Sequence, residues 1–153
     1  MSAAFTLRPV GEADFEPLLD LSIRVLRADL DRVGRFDPDR RRARMRAGFD
    51  PATLSAIECG ERLVGCIAAV PAADHVEIHS FYLEPDMQGR GLGAAVFAAL
   101  AARHPGLPLR IEVLKGSEVH RFWEKQGFLR TGEQAFDWLY ERPAGLGAAP
   151  RPA

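Results

Sequence analysis

The chain is poor in the residues that would announce several common protein classes. Its 153 residues include two cysteines, two tyrosines and two tryptophans, and the formal net charge is −1. Two cysteines, Cys59 and Cys66, cannot form a disulfide framework. They lack metal-ligand spacing and have no histidine near them in sequence, so they are read as buried, reduced thiols and no metal site is expected. A balanced charge gives no global field to draw nucleic acid or an anionic membrane. The longest apolar run, 94–102, is far short of the roughly 20 residues that span a bilayer. The N-terminus has no basic region followed by an apolar core, so no secretion signal is expected, and the cytoplasm is the simplest location. What is present is ordinary for a globular chain: 47% hydrophobic and 27% charged residues, enough for one domain with one core.

Periodicity and breakers divide the chain. Strands are expected at 5–8, 53–59, 63–70, 75–83, 109–114, 128–131 and 135–141. Helices are expected at 12–30, 38–49, 94–103 and 117–126. Asp37 and Ser117 are the expected N-caps of the second and fourth helices. In the first helix Phe15, Leu18, Leu19, Ser22, Leu26 and Leu30 fall on one face at spacings of three and four. Gly60-Glu61-Arg62 reads as a hairpin turn, and His104-Pro105-Gly106 as a helix stop. The order is β-α-α-β-β-β-α-β-α-β-β, with no internal repeats. One domain is expected over 1–142, and the Ala-, Gly- and Pro-rich stretch 143–153 is expected to be a flexible tail.

The densest chemical signal is Gln88-Gly89-Arg90-Gly91-Leu92-Gly93-Ala94, set between an expected strand and an expected helix. Glycines let a ligand approach the backbone closely. First-turn amides of a helix have no intrahelical partners, and the helix dipole favours an anion there. The stretch therefore points to a ligand with a pyrophosphate. A Walker loop needs Gly-Lys-Ser/Thr at its end, and Leu92-Gly93-Ala94 stands there instead, which excludes nucleoside triphosphate binding by that route. Gly89-x-Gly91-x-x-Ala94 satisfies the dinucleotide pattern, yet that pattern belongs to the first strand–helix unit of a parallel sheet, and here about three strands precede it.

Gln88-Gly89-Arg90-Gly91-Leu92-Gly93 also fills every position of the signature Arg/Gln-x-x-Gly-x-Gly/Ala. With Phe81-Tyr82-Leu83-Glu84-Pro85-Asp86 before it, and Leu109–Leu114 and Trp123-Glu124-Lys125-Gln126-Gly127-Phe128 after it, the sequence resembles the GNAT family of N-acetyltransferases. The resemblance follows the order of elements from about residue 5 to residue 142 and is specific over 77–128. It implies an α/β fold with a mixed, mostly antiparallel sheet flanked by helices, in which the fourth and fifth strands run parallel and splay apart around the cofactor. It implies acetyl-CoA as co-substrate, with the loop cradling its pyrophosphate and the main chain of Leu83 binding the pantetheine arm. Arg90 is a second phosphate candidate, Ser117 a cofactor contact or a cap, and Trp123 a cofactor wall or core.

Acetyl transfer to an amine needs a neutral amine, a polarised carbonyl and a stabilised leaving thiolate. Glu77 and His79 are the candidate bases. With Phe81 and Leu83 they share one face of a regular strand, and the resemblance turns that face to the acceptor. Many family members carry a tyrosine where Trp123 stands, and an indole N–H is no usable acid; the proton donor for the thiolate stays open between solvent and another group. Arg24, Arg27, Phe36 and Asp137 are candidates for the acceptor wall. Charge runs on helices are usually solvated faces, and the run Arg40-Arg41-Arg42-x-Arg44-x-Arg46 is read that way, with recognition of an acidic acceptor or the cofactor's 3′-phosphate as the other reading.

The expectation is thus an acetyl-CoA-dependent N-acetyltransferase acting on a primary amine, on a small molecule or a protein, by direct attack in a ternary complex. No nucleic acid or membrane partner is expected, and a homodimer follows from the family's habit. Two other readings stay open: an acyl-CoA-binding sensor without turnover, and a dinucleotide-binding enzyme.

Overall fold

The computed structural model describes residues 4–145. Its elements are β1 (Thr6–Pro9), α1 (Phe15–Arg32, preceded by the 3₁₀ turn Glu12–Asp14), α2 (Pro38–Ala47), β2 (Leu54–Cys59), β3 (Arg62–Pro71), β4 (Val76–Leu83), α3 (Leu92–Ala101), β5 (Leu109–Leu114), α4 (His120–Lys125), β6 (Leu129–Glu133) and β7 (Asp137–Arg142). Their order is the one expected from sequence. They form a mixed α/β fold whose seven-stranded, mostly antiparallel sheet has the order β1-β2-β3-β4-β5-β7-β6. The expected tail falls largely on residues 146–153, outside the described residues. No helix among the described residues is long and apolar enough to cross a membrane.

By compactness these residues group into two units. One holds residues 4–68 with 80–93, the other 69–79 with 94–145. In the first unit β1, β2 and β3 form antiparallel ladders. Phe15, Leu18, Leu19 and Leu21 of α1 and Met45 of α2 bury against Leu54, Ala56, Cys66 and Ala68 of β2 and β3. The expected face of α1 is present from Phe15 to Ser22 with Leu21 added, while Leu26 and Leu30 are only half-buried. The α2 N-terminus is built as expected, for the Asp37 side chain accepts from the amides of Asp39 and Arg40 at 3.0 and 3.4 Å. The arginine run of α2 is mostly solvated. Arg42 pairs with Glu16 and Arg46 with Glu12, which ties α2 to the start of α1. Arg41 is the exception, buried with its guanidinium 3.3 Å from Ser22 Oγ and 3.4 Å from the Tyr82 hydroxyl.

One residue of β3 has no room for a side chain. A Cβ built on Gly65 would lie 2.1 Å from the Tyr82 carbonyl oxygen and 3.0 Å from a Leu83 methyl. Backbone cannot yield as a flexible side chain does, so Gly65→Ala is expected to lower stability by about 3 kcal/mol or more, the upper range of overpacking costs. Denaturant unfolding measures this, and an unchanged midpoint would contradict the close approach.

In the second unit β4 pairs parallel with β5 through Val76↔Leu109 and Glu77↔Arg110. The other edge of β5 pairs antiparallel with β7 along its whole length, and β7 pairs with β6. Leu109, Ile111 and Val113 alternate inward, as a strand with one covered face requires. Phe97, Trp123 and Phe128 meet at centroid distances of 5.3–5.5 Å, and Phe122 adds an edge contact to Trp123.

The structure corrects two expectations. The fourth helix starts at His120 rather than 117, because Ser117-Glu118-Val119 forms a turn in which Ser117 Oγ accepts from the Val119 amide at 3.3 Å. Ser117 thus caps a turn before the helix. The second correction concerns β4, which is not a regular strand. Ser80 has φ +51, a left-handed conformation unusual outside glycine. It breaks the alternation that would have carried Phe81 and Leu83 on the same face as Glu77 and His79.

Candidate active site

In the first unit the glycine-rich loop leaves the end of β4 and opens α3. A 3₁₀ turn, Pro85–Met87, leads into it. Gly89 has φ +73 and Gly91 φ +81, and a Cβ at either would meet no atom within 4 Å. The turn thus requires glycine for its backbone and leaves open space on the side where a side chain would stand. The helix then begins at Leu92, whose side chain is buried. The first-turn amides of Leu92, Gly93 and Ala94 lack intrahelical acceptors by construction. Exposed amides at a helix N-terminus suit a multiply charged phosphate group.

The loop is anchored by its own first residue. Gln88 Nε2 donates to the Leu83 carbonyl at 3.0 Å, and the next amide, Glu84, donates to Val64 O at 2.8 Å. That carbonyl of Leu83 is therefore engaged by the chain itself. Arg90 is exposed in the loop, near enough to Asp86 to help hold that carboxyl below the usual range, after the larger effect of the Arg62 hydrogen bonds. Glu84 pairs with Arg24 and lies 3.9 Å from Arg62, and Arg62 also forks onto Asp86 at 3.0 Å.

Of the four residues expected in the acceptor wall, three belong to this unit. Arg24 and Glu84 line a shallow cleft of about 200 Å³ with Pro17, Leu18, Asp20, Leu21 and Leu63. Arg27 stacks its guanidinium over Phe36, 4.7 Å from the ring centroid, and pairs with Asp31 at 3.6 Å. The structure thus brings Arg27 and Phe36 together and gives Arg24 a different partner. Cys66 is buried, donates to the Ser80 carbonyl, and has its thiol pushed up to about 12 by burial. Such a thiol holds almost no thiolate at neutral pH and is no nucleophile.

The second unit holds Glu77, His79, Ser117, Trp123 and Asp137. Asp137 begins β7, half-buried, paired in register with Leu114. Ser117 is buried, with its hydroxyl engaged by Val119. Trp123 is buried in the aromatic cluster described above. His79 is half-buried.

Glu77 has the richest surroundings. It lines a cleft of about 380 Å³ with Arg110, Ile111 and Glu112 of β5, Thr131 of β6, Gln134, and Leu139, Tyr140 and Glu141 of β7. Burial raises the Glu77 carboxyl above the usual range, and the nearby Glu112 carboxylate raises it further, while His75 and Arg110 pull the other way. Arg110 is itself held by Glu141 at 2.9 Å. Tyr140 donates its hydroxyl to Glu124 at 3.0 Å. A carboxylate shifted upward in a cleft is suited to take a proton near neutral pH. Sequence reasoning finds Glu77 but not its neighbours. His75 is legible in principle, two residues before Glu77 and just ahead of β4. Arg110 and Glu112 are not, because their nearness depends on the register between two strands.

Set beside known proteins, the chain has clear relatives. The family model described as "Acetyltransferase (GNAT) family" matches residues 22–128. No curated protein sequence matches the chain significantly. Among solved structures it is similar to an acetyltransferase from Thermus thermophilus, with a TM-score of 0.73 at 22% identity, covering 94% of this chain and 99% of that one. It is similar to the PaiA N-acetyltransferase of Thermoplasma acidophilum in complex with coenzyme A, with a TM-score of 0.71 at 16% identity, covering 92% and 99%. It also resembles part of the N-acetylglutamate synthase of Neisseria gonorrhoeae, solved with coenzyme A and N-acetyl-glutamate. There the TM-score is 0.68 at 19% identity, covering 94% of this chain and 36% of that one.

Proposed function

Because the chain belongs to the acetyltransferase (GNAT) family, we propose that it transfers the acetyl group of acetyl-CoA to a primary amine, on a small molecule or a protein, by direct attack in a ternary complex. Residues 1–142 act as one acetyltransferase domain in this reading. The dinucleotide alternative falls with the family assignment. The observation that carries the reading is the loop. Gly89 and Gly91 adopt conformations that require glycine and face open space, where the pyrophosphate of coenzyme A fits against amides and a helix N-terminus.

Acetyl-CoA supplies an activated thioester. The chain's residues do the rest. Gln88 holds the loop by its bond to Leu83. The amides from Gly89 to Ala94 take the diphosphate, and Arg90 adds a charge that is exposed and able to reach it. The main chain of Leu83 orients the pantetheine arm, Trp123 and Ser117 lie along the cofactor's path, and Arg24, Arg27, Phe36 and Asp137 wall the acceptor. Glu77 takes the proton of the incoming ammonium, directly or through water, with His79 beside it in sequence as the second base. The raised Cys66 thiol speaks against a covalent acetyl-enzyme, which needs an activated nucleophile. Tyr140 donates its hydroxyl to Glu124, and Tyr82 accepts from Arg41; in this reading solvent protonates the departing thiolate.

One observation favours a second reading, an acyl-CoA sensor without turnover: Trp123 stands where many relatives keep an acidic tyrosine. Release of free thiol from acetyl-CoA across a broad panel of amines separates the two. Turnover above background with at least one amine supports the enzyme. Binding of acetyl-CoA with no thiol release for any amine supports the sensor.

A further inference from the structure

Acetylating an ammonium group releases one proton per turnover: the amine gives up H⁺, the new amide keeps one N–H, and coenzyme A departs as a thiol. If Glu77 takes that proton, Glu77 must lose it before the next cycle. The geometry points to His75 as the positioning residue that relieves it, passing the proton from Glu77 toward solvent with Asp74 fixing the ring; this rests on the reading of Glu77 as the base.

His75 lies in the turn before β4, and its two ring nitrogens face two carboxylates. Nε2 is 3.4 Å from Glu77 Oε2, and Nδ1 is 2.7 Å from Asp74 Oδ1. The backbone fixes the ring's position at both flanks, since the His75 carbonyl accepts from the Ala72 amide at 2.8 Å and the Val76 amide donates to Pro108 O at 2.9 Å. The imidazole is the most sheltered of the three groups. The Glu77 side chain is 35% exposed, His75 19% and Asp74 76%, so the row runs from the cleft, through a sheltered imidazole, to a solvated carboxylate. Imidazole is the side chain suited to relay protons near neutrality.

The proton balance is simple. With Nδ1–H donated to Asp74, Nε2 is an acceptor facing Glu77. Protonated Glu77 gives its proton to Nε2, and the imidazolium that forms sits between two carboxylates. It then loses the Nδ1 proton past Asp74 to water, and the ring regains its starting tautomer by exchange with solvent. The other charged groups facing this row are Arg110 and Glu112 of β5, with Arg110 acting on both Asp74 and Glu77 and anchored by Glu141 of β7. None of these has a nitrogen that exchanges a proton near neutral pH, whereas an imidazole has one, and that of His75 lies 3.4 Å from Glu77.

The test is the pH profile of kcat for His75→Gln, His75→Ala and Asp74→Asn in the full chain, with acetyl-CoA and whichever amine turns over. His75→Gln is expected to lower kcat about tenfold, a part of the general acid–base contribution, with KM for acetyl-CoA unchanged. When protonated, the His75 ring holds the Glu77 carboxyl down, so its removal moves the acid limb of kcat, where that form counts, to higher pH. Added imidazole restores rate to His75→Ala in a saturable way. Asp74→Asn gives a smaller loss in the same direction, and because Asp74 is exposed it decides the matter even where the His75 variants do not fold. An acid limb that stays in place, no imidazole rescue, and activity lost only in step with folded protein would overturn the proposal. Full activity of Glu77→Gln would instead overturn the reading of Glu77 itself, and that outcome is visible without any His75 variant.

Discussion

Glu77→Gln is expected to lower kcat by about a hundred- to ten-thousand-fold, the usual contribution of a positioned general base. Affinity for acetyl-CoA should hardly change, because Glu77 is not among the residues proposed to bind it. The pH dependence follows from the direction of the shift. The carboxylate is the active form, so the rate is present above its titration and lost as pH falls through it. Burial and Glu112 place that titration above the ordinary glutamate range, so the acid limb of the wild type lies at a correspondingly high pH, and the variant's residual rate lacks it. Stability moves the other way. A carboxyl whose folded-state titration is raised disfavours the folded form at pH above it, so the neutral amide is expected to be at least as stable as wild type at neutral pH. Steady-state kinetics with a thermal melt check both, and a variant that is inactive because it is unfolded would be recognised by its melt.

The second large effect is on cofactor affinity. Gly91→Val forces a β-branched residue to φ +81 and fills the open space beside the loop. Loss of even one hydrogen bond to a charged group costs about 1.5–3 kcal/mol, which raises the Kd for acetyl-CoA about ten- to hundred-fold. A matched substitution separates strain from ligand. Gly60 in the turn between β2 and β3 has φ +62 and likewise nothing within 4 Å of an added Cβ. Gly60→Val is expected to lose a similar amount of stability, about 1–2 kcal/mol for the left-handed backbone, with no change in Kd. Calorimetric titration of the two variants makes the comparison. Equal losses of affinity in both would locate the effect in folding rather than in the loop.

Much of this molecule is legible in its sequence because turn chemistry is local. Gly60, Pro105-Gly106 and the Asp37-Pro38 start each act over two or three residues, and the elements between them follow in the expected order. The loop is legible for the same reason: three glycines and a helix start suffice to specify a turn whose amides open onto solvent. Three features are not legible, and each depends on contacts distant in sequence. Ser80 adopts φ +51 in a strand whose residues carry no turn signal, so only the packed structure holds it there. The start of α4 is shifted because Ser117 can cap a turn as readily as a helix, and its side chain looks the same in either role. The third is the burial of Arg41. A charge run reads as one solvated face, yet one member of it is turned toward Ser22 and Tyr82. The candidate base lies between these cases. Glu77 is found by its spacing from the loop, while its titration is set by burial and by Glu112 and Arg110, placed beside it by the two-pair ladder between β4 and β5.

Main-chain amides around Gly89–Gly93 are proposed to hold the diphosphate of coenzyme A. The direct test is an amide chemical-shift titration of the full chain with coenzyme A. The largest shifts are expected at Gly89, Gly91 and Gly93, saturating together with the calorimetric isotherm. Saturable binding that leaves those three amides unmoved, or no binding at millimolar coenzyme A, would contradict it.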